Sequence, residues 1–219
     1  MKKSLVLMTG MAAFLMQHAS AQTVLVESWE NTTDGWGVNQ TAFQSDGFST
    51  TIGVTQGSYS WEIGAVSTNT GVGPNYANML GGPASVNNTT LFANAATVSL
   101  DVWAPAGSFG GYFQADLAYN NSVLGYNSVD GYSYPAAFTP DGNEHTLTFT
   151  ISPTLNASFA ANPTSTTSFN IQIGGGFTSQ ATEVFYVDNL RVTEVPEPTT
   201  LGVLGLGAAG LLAFRRRKS

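Results

Sequence analysis

The chain has 219 residues, 42% of them hydrophobic and only 10% charged, and it contains no cysteine. That excludes disulfides, thiolate catalysis and thiolate metal sites. Lys2, Lys3, Arg215, Arg216, Arg217 and Lys218 lie at the ends, so between Glu27 and Glu197 one arginine, Arg191, stands against all 14 carboxylates, a formal charge of −13; such a surface repels phosphate backbones and anionic lipid and excludes nucleic acid as a partner.

In chain order, Lys2-Lys3 form a basic n-region and Leu5 to Met16 an apolar run too short for a stable span. Ala19-Ser20-Ala21 follows as an A-x-A cleavage site. Residues 1–21 read as a signal peptide, a short helix removed by signal peptidase between Ala21 and Gln22.

The body, 22–194, is dominated by period-two alternation broken by Gly, Asn, Pro and Ser. The predicted strands are Thr23 to Trp29, Phe48 to Val54, Ser58 to Ile63, Thr97 to Trp103, Tyr112 to Tyr119, Glu144 to Ile151, Ser168 to Ile173 and Glu183 to Thr193. No segment shows a convincing helical period, and Leu, Glu and Lys are scarce between the strands. The fold class expected is all-β, a two-sheet antiparallel β-sandwich of the jelly-roll type.

Strand register sorts residues into faces. Val98, Leu100 and Val102 point to the core and leave Asp101 and Trp103 on the other side. Phe113, Ala115 and Leu117 likewise leave Tyr112, Gln114 and Asp116 outside, and Phe169, Ile171 and Ile173 leave Asn170 and Gln172. One sheet is therefore expected to present Trp103 and Tyr112 amid Asp101, Gln114, Asp116, Asn170 and Gln172. Aromatic rings cover the C–H side of a pyranose while carboxylates and amides pair with its hydroxyls, so this set is a candidate carbohydrate site. The alternative is that Trp103 lies under a loop and Tyr112 is an ordinary cross-strand partner.

Asn120 to Pro135 is a long Gly/Asn/Tyr-rich stretch. Tyr119, Tyr126, Tyr132 and Tyr134 with Asn120, Asn121, Asn127 and Asp130 have the composition of a binding loop, and equally that of a loop packed on the sandwich edge. His145 is the only histidine of the body and shares a strand face with Leu147, Phe149 and Ile151, so it reads as a core or edge histidine. The one enzymatic route is a carboxylate pair, Asp101 and Asp116, acting on a glycosidic bond.

Pro196 and Pro198 flank Glu197 and keep the backbone extended. The apolar run Leu201 to Phe214 has 14 residues, about 21 Å as a helix against a hydrocarbon core of roughly 30 Å. With Thr199 and Thr200 it reads as a short transmembrane helix over 199–214, a transient inner-membrane anchor whose basic tail 215–218 stays in the cytoplasm.

Val195-Pro196-Glu197-Pro198, the Gly/Leu/Ala helix and the terminal arginines resemble the PEP-CTERM sorting signal of exported bacterial proteins, here over 195–219. The resemblance implies recognition of Pro196, Glu197 and Pro198 by an exosortase, which cleaves nearby and releases or re-attaches the body at the cell surface or in the extracellular matrix. It implies nothing about the cargo.

The body resembles a second family. Glu27-Ser-Trp-Glu30-Asn-Thr-Thr-Asp34-Gly35-Trp36 is similar to the opening strand and turn of galactose-binding-like jelly rolls of the carbohydrate-binding-module type. Gln56-Gly-Ser-Tyr-Ser-Trp-Glu-Ile63 is similar to their next strand, and Phe185-Tyr-Val-Asp188-Asn189-Leu-Arg-Val192 to their closing strand. Asn120 to Pro135 does not align. In such modules an acid after the first strand and an aspartate in the last often share a structural Ca2+, which the resemblance places on Glu30 and Asp188, with Glu27 as the rival of Glu30. The bland alternative is a bulge at Asp188-Asn189 and a solvated strand end at Glu30. The function expected is a non-catalytic carbohydrate-binding module on an exported protein, with extracellular polysaccharide as partner. A Ca2+-assembled structural matrix protein and a glycoside-active enzyme are the alternatives.

Overall fold

Alternation in the long strands puts their apolar residues on one face each, and burying two such faces against each other sets the architecture. The computed structural model describes residues 21–39, 43–66, 75–133, 136–175 and 182–196, and Thr23–Glu194 forms one compact unit. The first sheet runs in the order β10 (Glu144–Thr150), β6 (Ala95–Trp103), β12 (Thr182–Glu194), β4 (Ser60–Val66), β3 (Phe43–Ser49), with β1 (Thr23–Glu27) also on β12. The second runs β2 (Gly37–Asn39), β5 (Asn75–Gly81), β11 (Thr167–Gly175), β7 (Phe113–Asn121), β8 (Gly125–Ser128), with β9 (Ala136–Phe138) also on β7. All pairings are antiparallel. The all-β, two-sheet antiparallel sandwich expected from the alternation is the fold observed.

The inward set is the predicted one in the central strands: Val98, Leu100 and Val102 of β6, Phe113, Ala115 and Leu117 of β7, and Phe169, Ile171 and Ile173 of β11 are buried between the sheets. Trp29, Trp36 and Trp61 join the core at one end, with Trp29 centred 5.3 Å from Trp36 and 5.7 Å from Trp61.

Three features differ from expectation. The strand expected over Phe48 to Val54 lies earlier, at β3, because the Ser49 hydroxyl accepts the backbone N–H groups of Thr51 and Ile52 and turns the chain off the sheet. Gly53 continues that turn at φ +67, where an added Cβ would meet Tyr186 Cβ at 2.8 Å. β2, β5, β8 and β9 were not expected, and β8 with its turn occupies the middle of the Asn120 to Pro135 stretch.

Two helices also appear where none was expected: α1 (Val86–Asn94) and α2 (Pro153–Ala160). Each is capped by a serine, with Asn88 N–H donating to Ser85 Oγ and Leu155 N–H to Ser152 Oγ. They pack through Phe92, which stacks on Phe159 at 4.8 Å and on Phe169 at 4.6 Å. Tertiary contact holds α1 in place: the buried Thr89 hydroxyl donates to Ser165 O at 2.7 Å and Asn88 Nδ2 to Thr167 O at 3.0 Å. The expected signal helix and the expected membrane helix over 199–214 lie outside the described residues, within which no helix is long and apolar enough to cross a membrane.

Candidate functional site

The outer face of the second sheet collects polar groups in register. Across β7 and β11, Gln114 faces Gly174, Asp116 faces Gln172 and Ala118 faces Asn170, and β8 sets Ser128 opposite Ala118. Two glycines make room for the amides. A Cβ on Gly174 would meet Gln114 Nε2 at 3.0 Å, and one on Gly81 would meet Asn170 Oδ1 at 3.2 Å. Tyr112, Tyr126 and Tyr132 are exposed by 42%, 41% and 43%. Two of these rings are tied by their hydroxyls to the face, since Tyr112 Oη donates to Gln114 Oε1 and Tyr126 Oη accepts from Gln172 Nε2 at 2.6 Å. Asn170 is turned onto its own strand, donating to Ser168 O and Oγ.

Asp116 lies at the centre of this face, fully buried, beneath the turn that follows β8. The Ser128 hydroxyl is 3.1 Å from Asp116 Oδ1 and 2.8 Å from Asp130 Oδ1, and Asp130 in turn accepts from the Ser133 hydroxyl and backbone N–H. Asp116 Oδ2 has no hydrogen-bond donor. Burial, and then the neighbouring Asp130 carboxylate, push the Asp116 carboxyl up to about 7.

The expected seven-residue set is not one site. Trp103 and Asp101 belong to β6 in the first sheet, whose outer face points away from that of the second across the core; Tyr112, Gln114, Asp116, Asn170 and Gln172 belong to the second. Alternation assigns a face to each residue but does not say which strands share a sheet. Trp103 lies against a loop, its Nε1 donating to Gly142 O at 2.8 Å and its ring edge-on to Tyr186 at 5.5 Å.

Asp101 is 4% exposed rather than presented to solvent, and serves a structural network. It accepts from Arg191 Nη1 at 2.9 Å and Nη2 at 3.2 Å, and from Thr55, Thr146 and Asn189. Burial opposes ionisation, but the Arg191 guanidinium, with Thr146, Thr55 and Asn189, prevails and holds this carboxyl below its usual range. The Asp101 and Asp116 pair considered for glycosidic chemistry is therefore not assembled. The carboxylates that do approach each other, Asp116 and Asp130, are joined through the Ser128 hydroxyl, 3.1 Å from Asp116 Oδ1 and 2.8 Å from Asp130 Oδ1, with Asp116 fully buried.

Glu30 and Asp188 converge on one loop. Asp188 Oδ2 accepts the backbone N–H groups of Thr55 and Gln56 at 2.6 and 2.7 Å, and Glu30 accepts that of Ser58 at 2.9 Å. Gly57 lies under Glu30, where a Cβ would collide with its carboxylate. A bulge in β12 places Asp188 and Arg191 on the same outer face although they are three positions apart, with Asn189 at φ 53 between them and its N–H donating to Asp188 Oδ1. Glu27, the rival acid, accepts from the backbone of Ser28 and Trp29. N–H donors thus engage all three acids, and among the described residues no group of three or more His, Cys, Asp or Glu could hold a metal ion.

Of the loop tyrosines, Tyr126 and Tyr132 are exposed, whereas Tyr119 is buried against Phe92 and Phe159 and Tyr134 lies outside the described residues. His145 sits at the sheet edge, stacked on Phe138 at 4.2 Å with Nε2 2.9 Å from Asp141 Oδ1. Ser128 was missed by sequence reasoning. The spacing Ser128-x-Asp130-x-x-Ser133 around Gly131 was its one signal, the pattern of short polar side chains closing a turn on themselves.

Comparison with solved structures places the fold among the β-sandwiches of carbohydrate-binding modules. One is a structure addressing promiscuous specificity in carbohydrate-binding modules of the β-sandwich superfamily: 17% identity, TM-score 0.51, 76% of this chain and 60% of that one. Another is the CBM27-1 module of Caldicellulosiruptor saccharolyticus in complex with mannohexaose: 14% identity, TM-score 0.50, 79% of this chain and 97% of that one. At these identities the likeness is one of fold, and this chain spans only 60% of the length of the first of the two. Residues 194–218 match the PEP-CTERM protein-sorting motif, which contains Pro196, Glu197 and Pro198. No curated protein matches the sequence significantly.

Proposed function

We propose that the body is a non-catalytic carbohydrate-binding module carried by an exported protein, with the outer face of the second sheet as its binding surface. The sorting motif at 194–218 supports export, exosortase processing after a transient inner-membrane stage, and a final place at the cell surface or in extracellular polysaccharide. Signal peptidase removes the leader at Ala21-Gln22 in this reading. The observation that carries the binding role is the arrangement of exposed tyrosines beside in-register amides: Tyr126 bonded to Gln172 and Tyr112 bonded to Gln114 offer ring faces and hydrogen-bonding edges on one surface. A pyranose needs both.

The test is a glycan array on the purified protein, followed by titration of the best ligand. Tyr126→Ala and Tyr132→Ala should each weaken binding about tenfold, the loss of one aromatic contact, while Thr148→Arg on the outer face of the first sheet should leave it unchanged. Binding that survives both tyrosine changes and is lost in Thr148→Arg would move the site to the other sheet.

A structural Ca2+ at Glu30 and Asp188 is a separate proposal, supported by the convergence of the two acids on the Thr55 to Ser58 loop. If it is correct, EDTA lowers the Tm of the purified protein. An unchanged Tm leaves the N–H donors as the whole role of both carboxylates.

A further inference from the structure

We infer that Asp116 and Asp130 share one proton, and that this proton latches the Asp130 to Ser133 turn, with Tyr132, onto the second sheet, making the proposed glycan face pH-regulated. The inference rests on the carbohydrate reading of that face for its function but not for its mechanism.

The geometry forces the sharing. The Ser128 hydroxyl has one hydrogen and lies between Asp116 Oδ1 and Asp130 Oδ1, so it can donate to only one of them at a time. Asp116 Oδ2 is buried without any donor, and a buried carboxylate oxygen left unpaired is costly. The groups around the pair supply no positive charge. From β8 and the turn after it come Ser128, Tyr126, Asp130, Tyr132 and Ser133; from β11 comes Gln172, opposite Asp116 in register and bonded to Tyr126. The one basic residue of the body, Arg191, is bound to Asp101 on the other sheet. A proton on Asp116 removes the repulsion between the carboxyls on either side of Ser128 and neutralises the buried oxygen that has no donor.

The proton resides on Asp116 rather than Asp130. Burial opposes ionisation of Asp130 too, but the hydroxyls of Ser133 and Ser128 and the Asp116 carboxyl hold Asp130 below its usual range. Since burial and the Asp130 charge raise Asp116 from an ordinary 3.8 to about 7, the folded state binds this proton more tightly than the unfolded chain does. The stabilisation is therefore complete below the ordinary carboxylate range and is lost as pH rises through about 7. Above that, two ionised carboxylates on either side of one hydroxyl repel each other and push the turn away. Tyr132, held at φ 65 in the closed turn, loses its fixed position, and ordering it again on binding costs affinity.

The test is amide hydrogen exchange on the full-length protein in detergent, at pH 6 and pH 8. Protection factors of Val129, Asp130 and Ser133 should fall about tenfold at pH 8 relative to pH 6, the loss from one unit of deprotonation beyond the midpoint, while those of β6 stay constant. Asp116→Asn, which keeps the shape of the neutral acid, should hold the turn protected at both values. Asp130→Asn removes the neighbouring charge and should move the transition to lower pH. Equal protection at pH 6 and pH 8 in the wild type, or an unchanged transition in both variants, overturns the latch. The second readout is affinity for mannohexaose at the same two pH values: a drop at pH 8 in the wild type but not in Asp116→Asn supports regulation of binding. A turn that loosens while mannohexaose affinity is flat or absent overturns the regulatory role and leaves the latch standing.

Discussion

Replacing Arg191 by methionine should destabilise the sandwich by about 3 kcal/mol, below the upper range for breaking a buried ion pair because the guanidinium is partly exposed. The side chain of Asp101 is 4% exposed and that of Arg191 24%, so the change leaves a desolvated carboxylate with hydroxyl and amide donors but no counter-charge. Arg191→Lys should recover only part of the loss, because an ammonium cannot reproduce the two contacts made by Nη1 and Nη2. The double change Asp101→Asn with Arg191→Met should lie above the single one, since no unpaired charge remains. Urea unfolding at neutral pH reads all three. The pH dependence has a definite sign: Asp101 is held below its usual range, so the pair stabilises above the unfolded carboxylate range, and wild type and variant should converge as pH falls below it. A gap that persists undiminished in strong acid would mean that packing of the Arg191 stem, not charge, is what the variant loses.

Phe92→Ala should cost about 3–5 kcal/mol. The ring is fully buried, stacked on Phe159 and Phe169 and edge-on to Tyr119, so its removal opens a cavity at a junction of α1, α2, β7 and β11. The backbone there cannot close inward, because Thr89 and Asn88 hold α1 to the chain around Thr167. Thermal unfolding should show a lower Tm, and near-ultraviolet circular dichroism a weaker aromatic signal. Val86→Ala, exposed on the same helix, is the control and should change stability by no more than about 0.5 kcal/mol. If Phe92→Ala cost no more than that control, the helix pair would not be part of the cooperative core.

What was legible in the sequence follows from range. In β6, β7, β10 and β11 the apolar residues alternate with polar ones over whole strands, and a local pattern of that length fixes the buried face. α1 is different: Val86-Asn-Asn-Thr-Thr-Leu-Phe-Ala-Asn94 is poor in helix formers, and although Ser85 caps it locally, the contacts that hold it, with Ser165 and Thr167, come from a segment far along the chain. α2 had a readable start in Ser152-Pro153, a cap followed by a proline at the first helical position. β2, β8 and β9 are three or four residues long, too short for two alternations. The same limit split the expected site. Gln114, Asp116 and Gln172 lie on one sheet because their strands are neighbours, whereas Trp103 and Asp101 shared only the outward sense of alternation. The neighbour of Asp116 that matters, Asp130, lies across a turn whose fold depends on Ser128 and Ser133.

β12 is flanked along its length, by β6 on one side and by β4 and then β1 on the other, and it ends at Glu194, two positions before Pro196. Thr23 and Thr193 sit side by side, with 3.3 Å between their hydroxyl oxygens. A body left tethered through its C-terminal end is therefore pulled along the best-supported strand it has. Ladder bonds lie across the strand direction, so drag from flowing water or a moving matrix loads many of them in shear at once rather than peeling them one by one.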